Sequence, residues 1–194
     1  MSDRPGFYLY DDGGEFTQRC AMLCRGAGFD EVSRPEAAIF AIAPRWQKFI
    51  PQAELSSPVY GVLVFHPSAL PYGRGPDAVR WTVERGERVS AATWFWADRG
   101  LDTGPICAQE LVLLAPGESP GRAYYTRFVP AGIRALMRAL LGIQAGSPNR
   151  LIQDNALSSY DGRFLQGNGL MGNTPSCSVQ FPKPPHACYS RETA

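Results

Sequence analysis

A histidine at the end of an apolar run and an aspartate in a glycine-bracketed loop are the residues with chemistry to offer. His66 directly follows residues 59–65, whose unbroken apolar character marks a strand buried on both faces. Imidazole exchanges protons near neutral pH. Ser68, Pro71, Tyr72, Gly73, Arg74 and Gly75 follow it, a loop that combines hydroxyls, glycines and a guanidinium. A second apolar run, 91–96, leads into Ala97, Asp98, Arg99, Gly100, Leu101, Asp102 and Gly104. If the two strands are neighbours, both loops meet at one edge and a carboxylate comes to the imidazole. It would stabilise the imidazolium and orient the ring, which is the equipment for moving a proton to or from a nucleophile. Each residue alone also has a plain structural reading. A histidine at a strand end is more often a packing group, and Asp-x-Gly is a turn former. The combination carries the inference.

The surrounding elements are legible from hydrophobic period. Residues 7–10 read as a short aromatic strand, broken by Asp11-Asp12-Gly13-Gly14. Phe16, Cys20, Leu23 and Cys24 then recur at helical spacing, and Gly26 and Gly28 end that helix. Residues 37–43 are a continuous apolar run closed by Pro44. A helix is expected from Pro76 through Val79, Trp81 and Val83, and a kinked strand over 106–114. Ser119-Pro120 opens a helical stretch to Ile143, in which Pro130 predicts a kink or a division into two helices. Trp94, Phe95 and Trp96 alternate between both faces of their strand and read as core. Strands alternating with helices predict an α/β fold: an open, mainly parallel, Rossmann-like sheet with helices on both faces. Ligands bind such sheets at the carboxyl ends of the strands.

The chain has 194 residues, 44% of them apolar and 19% charged, with a net charge of +1. That suits one globular domain and offers no field to attract nucleic acid or an anionic membrane, so a nucleic-acid partner is disfavoured. The apolar stretch near Ile133–Ile143 is interrupted by Arg134 and Arg138, which argues against a membrane span. The first residues lack a basic-then-apolar leader, and a cytoplasmic protein is expected. Five cysteines and two histidines provide no ligand spacing for zinc, so no metal site is expected. Cys20 and Cys24 read as buried free thiols. From Gly146 the composition shifts to Ser, Asn, Gly and Pro, which divides the chain into a catalytic domain over 1–145 and a loop-rich tail over 146–194. Residues 167–176 read as loop, and Pro182, Pro184 and Pro185 as an extended end.

The ordered blocks His66-Pro67-Ser68-Ala69-Leu70-Pro71, Arg74-Gly75-Pro76 and Gly100-Leu101-Asp102-Thr103-Gly104-Pro105-Ile106 resemble the formyltransferase family that uses 10-formyltetrahydrofolate. The resemblance extends weakly to Gly13, Glu15-Phe16 and Gly28-Phe29, to 37–51, and faintly to Gln153-Asp154 and Tyr160. It implies a formyltransferase-type sheet with a shortened N-terminal half, because the region between the first helix and the 37–43 strand is brief. It also implies His66 and Asp102 as the catalytic pair. The folate pterin would lie among Pro44, Arg45, Trp46, Phe65, Ala97, Asp98, Gly100 and Leu101, and the acceptor near Gly13, Ser68 and Arg74.

Where the family carries a catalytic asparagine two residues before the histidine, this chain has Val64. Losing one donor to a developing oxyanion costs on the order of a hundred- to a thousand-fold in rate. The readings are therefore three. One is formyl transfer to a small-molecule amine, preferably a nucleotide-linked amino sugar. The second is a folate-binding scaffold without activity. The third is an enzyme that releases formate to water. The shortened half leaves a homodimer open, with a second copy completing the acceptor side.

Overall fold

A computed structural model describes residues 4–164. The loop and extended end expected over 167–185 lie outside them. The sheet has six strands, β1 (Gly6–Leu9), β2 (Asp30–Glu31), β3 (Phe40–Ala43), β4 (Val62–His66), β5 (Val89–Trp96) and β6 (Ile106–Leu113), in the order β2-β1-β3-β4-β5-β6. The first three pairings are parallel, and β4–β5 and β5–β6 are antiparallel. The sheet is thus parallel in its N-terminal part, as predicted, with an antiparallel edge. The short connection from β5 to β6 accounts for the second of these, since a parallel return would need a crossover element.

Helix α1 (Glu15–Gly26) buries Phe16, Cys20 and Cys24, successive positions four apart on one stripe. Glu15 in its first turn and Arg25 in its last complement the helix dipole. It packs beside the last helix on one face of the sheet, over Phe7, Leu9, Phe40, Ile42, Leu63, Phe65, Trp94 and Trp96. The opposite face is covered more thinly, by the 44–51 loop and the single-turn α2 (Gln52–Leu55), over Tyr10, Ala41, Ala43 and Val62. Helix α3 (Ala78–Glu84) links β4 to β5.

Pro130 does not break the last helical stretch. Residues run helically from α4 (Pro120–Ala123) through a π-turn at Tyr124–Phe128 into α5 (Val129–Gln144). Pro130 sits in the first turn of α5, where the ladder has just widened and the missing N–H costs least. Gly132 lets α5 approach the sheet: a Cβ there would stand 2.7 Å from the Phe65 ring. All three aromatics of the 94–96 run are buried. The Trp94 indole donates to Gly132 O at 2.8 Å and the Trp96 indole to Asn149 O at 2.9 Å. Residues 147–164 then run back across the molecule. They bridge β6 at Leu151–Ile106 and the post-β4 loop at Tyr160–Arg74.

Candidate active site

His66 ends β4 with its side chain on the thinly covered face, and is buried. Its Nε2 lies 2.7 Å from Gly73 O. A carbonyl only accepts, so Nε2 carries a hydrogen and Nδ1 is the atom that gains and loses a proton. Nδ1 faces Asp102 Oδ2 at 3.8 Å. The same oxygen accepts the Gly75 N–H at 2.8 Å. Asp102 holds a left-handed backbone conformation, φ 56°, which an aspartate in a tight loop tolerates. Gly75 is also left-handed, φ 101°, and a Cβ there would collide with Asp161 O. The His66-proximal loop and the Asp102 loop are therefore joined at a position only glycine fills.

The two loops meet by a different route from the one expected. Because β5 is antiparallel to β4, its end at Trp96 pairs with Leu63, and His66 pairs with Thr93. The 97–105 loop leaves at the far end of β4 and folds back over the face of the sheet to reach His66. Val64 lies between, on the same side as His66. It is half-buried against Leu70, Phe95 and Ile106. A valine offers no hydrogen bond there.

A buried amide ties the loops together. Arg74 is buried, and its guanidinium donates to Gln153 Oε1 from Nε at 3.1 Å and from Nη2 at 2.8 Å, with Asn155 Oδ1 at 3.0 Å. Gln153 Nε2 donates to Asp102 O at 3.0 Å and Gly104 O at 2.7 Å. Arg74 is thus committed inside the protein, by groups 79 and 81 residues away in sequence. Ser68 is likewise committed: its hydroxyl donates to Tyr72 O at 2.9 Å and its carbonyl accepts from Thr93. Gly13 stands exposed at the loop after β1, left-handed at φ 75°, with its N–H on Asp11.

Of the residues expected around a pterin, Pro44 is buried and Trp46 half-buried. The Trp46 ring lies 5.4 Å from Tyr10, with the Lys48 ammonium 5.1 Å away, and its indole N–H is buried without a partner among the described residues. Arg45 reaches Asp12 at 3.7 Å and lies over the Tyr124 ring. Burial pushes the Tyr124 hydroxyl up to about 12. Ala97 is pinned by its N–H to Val62 O, and Asp98 accepts from Gly100 N–H and the Thr103 hydroxyl, so this loop is self-supported. Leu101 is exposed beside Asp102. Phe65 differs from the rest: its ring points to the opposite face, 4.9 Å from Phe16 and 5.4 Å from Trp94. Sequence reasoning gave Gln153 no role. Its only sequence-level signal was a Gln-Asp pair in an otherwise featureless polar stretch.

Residues 24–140 match the formyl transferase family, and the chain belongs to it. It is 37% identical over 150 residues to human mitochondrial 10-formyltetrahydrofolate dehydrogenase, which covers 77% of this chain and 16% of that protein. It is 34% identical over 124 residues to methionyl-tRNA formyltransferase of Syntrophus aciditrophicus, covering 64% of this chain and 39% of that one. The chain therefore spans about a sixth of the length of the dehydrogenase relatives. In fold it is similar to HypX from Aquifex aeolicus in complex with tetrahydrofolic acid, with a TM-score of 0.73 at 18% identity over 85% of this chain and 30% of that one. It is also similar to the N-formyltransferase from Helicobacter canadensis in complex with folinic acid and dTDP-3-aminofucose, with a TM-score of 0.67 at 15% identity over 82% of this chain and 71% of that one.

Proposed function

We propose that the chain removes the formyl group from 10-formyltetrahydrofolate, with His66 as the proton carrier and Asp102 as its partner. The observation that carries this reading is the His66 Nδ1–Asp102 Oδ2 separation of 3.8 Å, in a chain of the formyl transferase family. A nucleophile bonds to the formyl carbon and its proton passes to His66 Nδ1. The resulting imidazolium faces the Asp102 carboxylate. The bond from the formyl carbon to folate N10 breaks, and N10 takes the proton from His66. The folate ring system finds a half-buried indole at Trp46, whose orphaned N–H can serve a ring acceptor, and the self-supported 97–104 loop. His66→Ala abolishes release of tetrahydrofolate while binding of 5-formyltetrahydrofolate persists. Retained turnover in that variant rejects the assignment.

The acceptor is a small amine in the first reading, by preference a nucleotide-linked amino sugar, which the likeness to the Helicobacter canadensis fold supports. Water is the second reading. Val64 favours it, since the position two residues before His66 offers no amide, and so does the similarity to 10-formyltetrahydrofolate dehydrogenases. Incubating the protein with 10-formyltetrahydrofolate, with and without a panel of amines and sugar nucleotides, separates the two. Formamide product identifies an amine acceptor, and formate released without any amine identifies water.

A further inference from the structure

Gln153 lies outside the three motif blocks, in a stretch with only a faint family resemblance, yet it is the best-connected polar side chain near the reacting pair. It is buried, and all four of its hydrogen-bonding positions are used. Its orientation is forced. The guanidinium of Arg74 only donates, so it must face Oε1; the carbonyls of Asp102 and Gly104 only accept, so they must face the amide N–H groups. One amide thereby spans both loops of the site. On one side it grips Arg74, between Gly73, whose carbonyl holds His66 Nε2, and Gly75, whose N–H holds Asp102 Oδ2. On the other it grips the backbone of Asp102 itself.

We propose that Gln153 is a positioning residue that sets the distance between His66 and Asp102. The proposal rests on the reading that this pair moves the proton in formyl removal. Without the amide, the Asp102 loop keeps its contact to Gly75 but loses the two donors that fix its backbone. Asp102 is the acidic group facing the imidazole, and Arg74 is the cation on the neighbouring loop. The effect of Gln153 reaches His66 through Asp102 and not through any contact with a ligand.

The test uses the whole chain in four forms: wild type, Gln153→Ala, Asp102→Asn and the double variant. Turnover of 10-formyltetrahydrofolate is measured together with the imidazole titration of His66 by NMR, which is tractable because the chain has two histidines. Gln153→Ala is expected to lower kcat by about ten- to a hundred-fold, with KM changed far less. It should also bring the His66 midpoint to that of Asp102→Asn. In the Asp102→Asn background the same substitution should add little, because residues acting as a unit are non-additive. If Gln153→Ala fails to fold, Gln153→Glu replaces it, since a carboxylate keeps Arg74 paired while removing both donors to the Asp102 loop. An unchanged His66 midpoint and kcat in a folded variant, or a full additive loss in the double variant, overturns the proposal. A wild type that releases no tetrahydrofolate, yet whose His66 midpoint still follows residue 153, sinks the formyl reading and supports the positioning role.

Discussion

The polar side chains brought together at the site are few, and the glycines that let them meet are as decisive as those groups. A Cβ on Gly104 would run into the Trp96 carbonyl, so the turn two residues after Asp102 closes only with glycine. Gly104→Ala is expected to cost about 3 kcal/mol, at the upper end of overpacking effects. For a chain of this size that lowers Tm by about 6–12 °C in a thermal melt. Asp12 supplies a pH signature. Partial burial pushes its carboxyl up, but the Thr17 hydroxyl at 2.6 Å, the Gly14 N–H and Arg45 more than offset that and hold it below its ordinary value of 3.8. A depressed folded value contributes stability that is present above the unfolded value and is lost as pH falls through the folded one. The stability difference between wild type and Asp12→Asn in urea is therefore constant near neutrality. It shrinks as the solution is acidified below about 4.

The approach of His66 to Asp102 was legible in the sequence because each ends or follows an apolar run. The direction of a side chain was less so. Phe65 adjoins His66, but the alternation along β4 sends its ring to the opposite face. Arg74 reads as a free cation until its partners, some eighty residues downstream, are known.

Among the elements, the antiparallel edge determines what forms the floor of the site. The 97–105 loop folds back across β4 because β5 ends opposite Leu63, and Val64 therefore lies beneath the path between the loops. An apolar run identifies a buried strand but is the same for either chain direction, so the sequence predicted a strand at 91–96 without its polarity. Replacing Val64 by Asn puts an amide against the apolar side chains of Leu70, Phe95 and Ile106. The variant is expected to lose about 1–3 kcal/mol of stability, read as a lower urea midpoint with an unchanged slope. The last helix teaches a related lesson. Pro130 is a breaker by its covalent structure, and the chain absorbs it in a π-turn that no local pattern in residues 124–128 announces.

At the scale of the whole molecule, residues 147–164 belong to the architecture of the site. Asn149 takes the Trp96 indole and donates to Cys107 O, Arg150 stacks on the Trp96 ring, and Ser159 accepts the Gly73 N–H. Low-period polar sequence hid this, because what it contributes is hydrogen bonds to distant backbone and not a hydrophobic stripe. Ending the chain at Gly146 would remove all of these at once and leave the Arg74 guanidinium without its carbonyl partners. Such a truncation is expected to reduce formyl removal at least a hundred-fold and to broaden the thermal transition, measured by calorimetry beside the full chain.

The contact between the Gly75 N–H and the Asp102 carboxylate has one more consequence. An amide that donates to a carboxylate inside the protein trades its hydrogen for deuterium only when that contact opens. The Gly75 amide is thus a native clock for the joining of the two loops. Its exchange rate in D2O records how often the site comes apart, in a protein carrying no label and bound to no ligand.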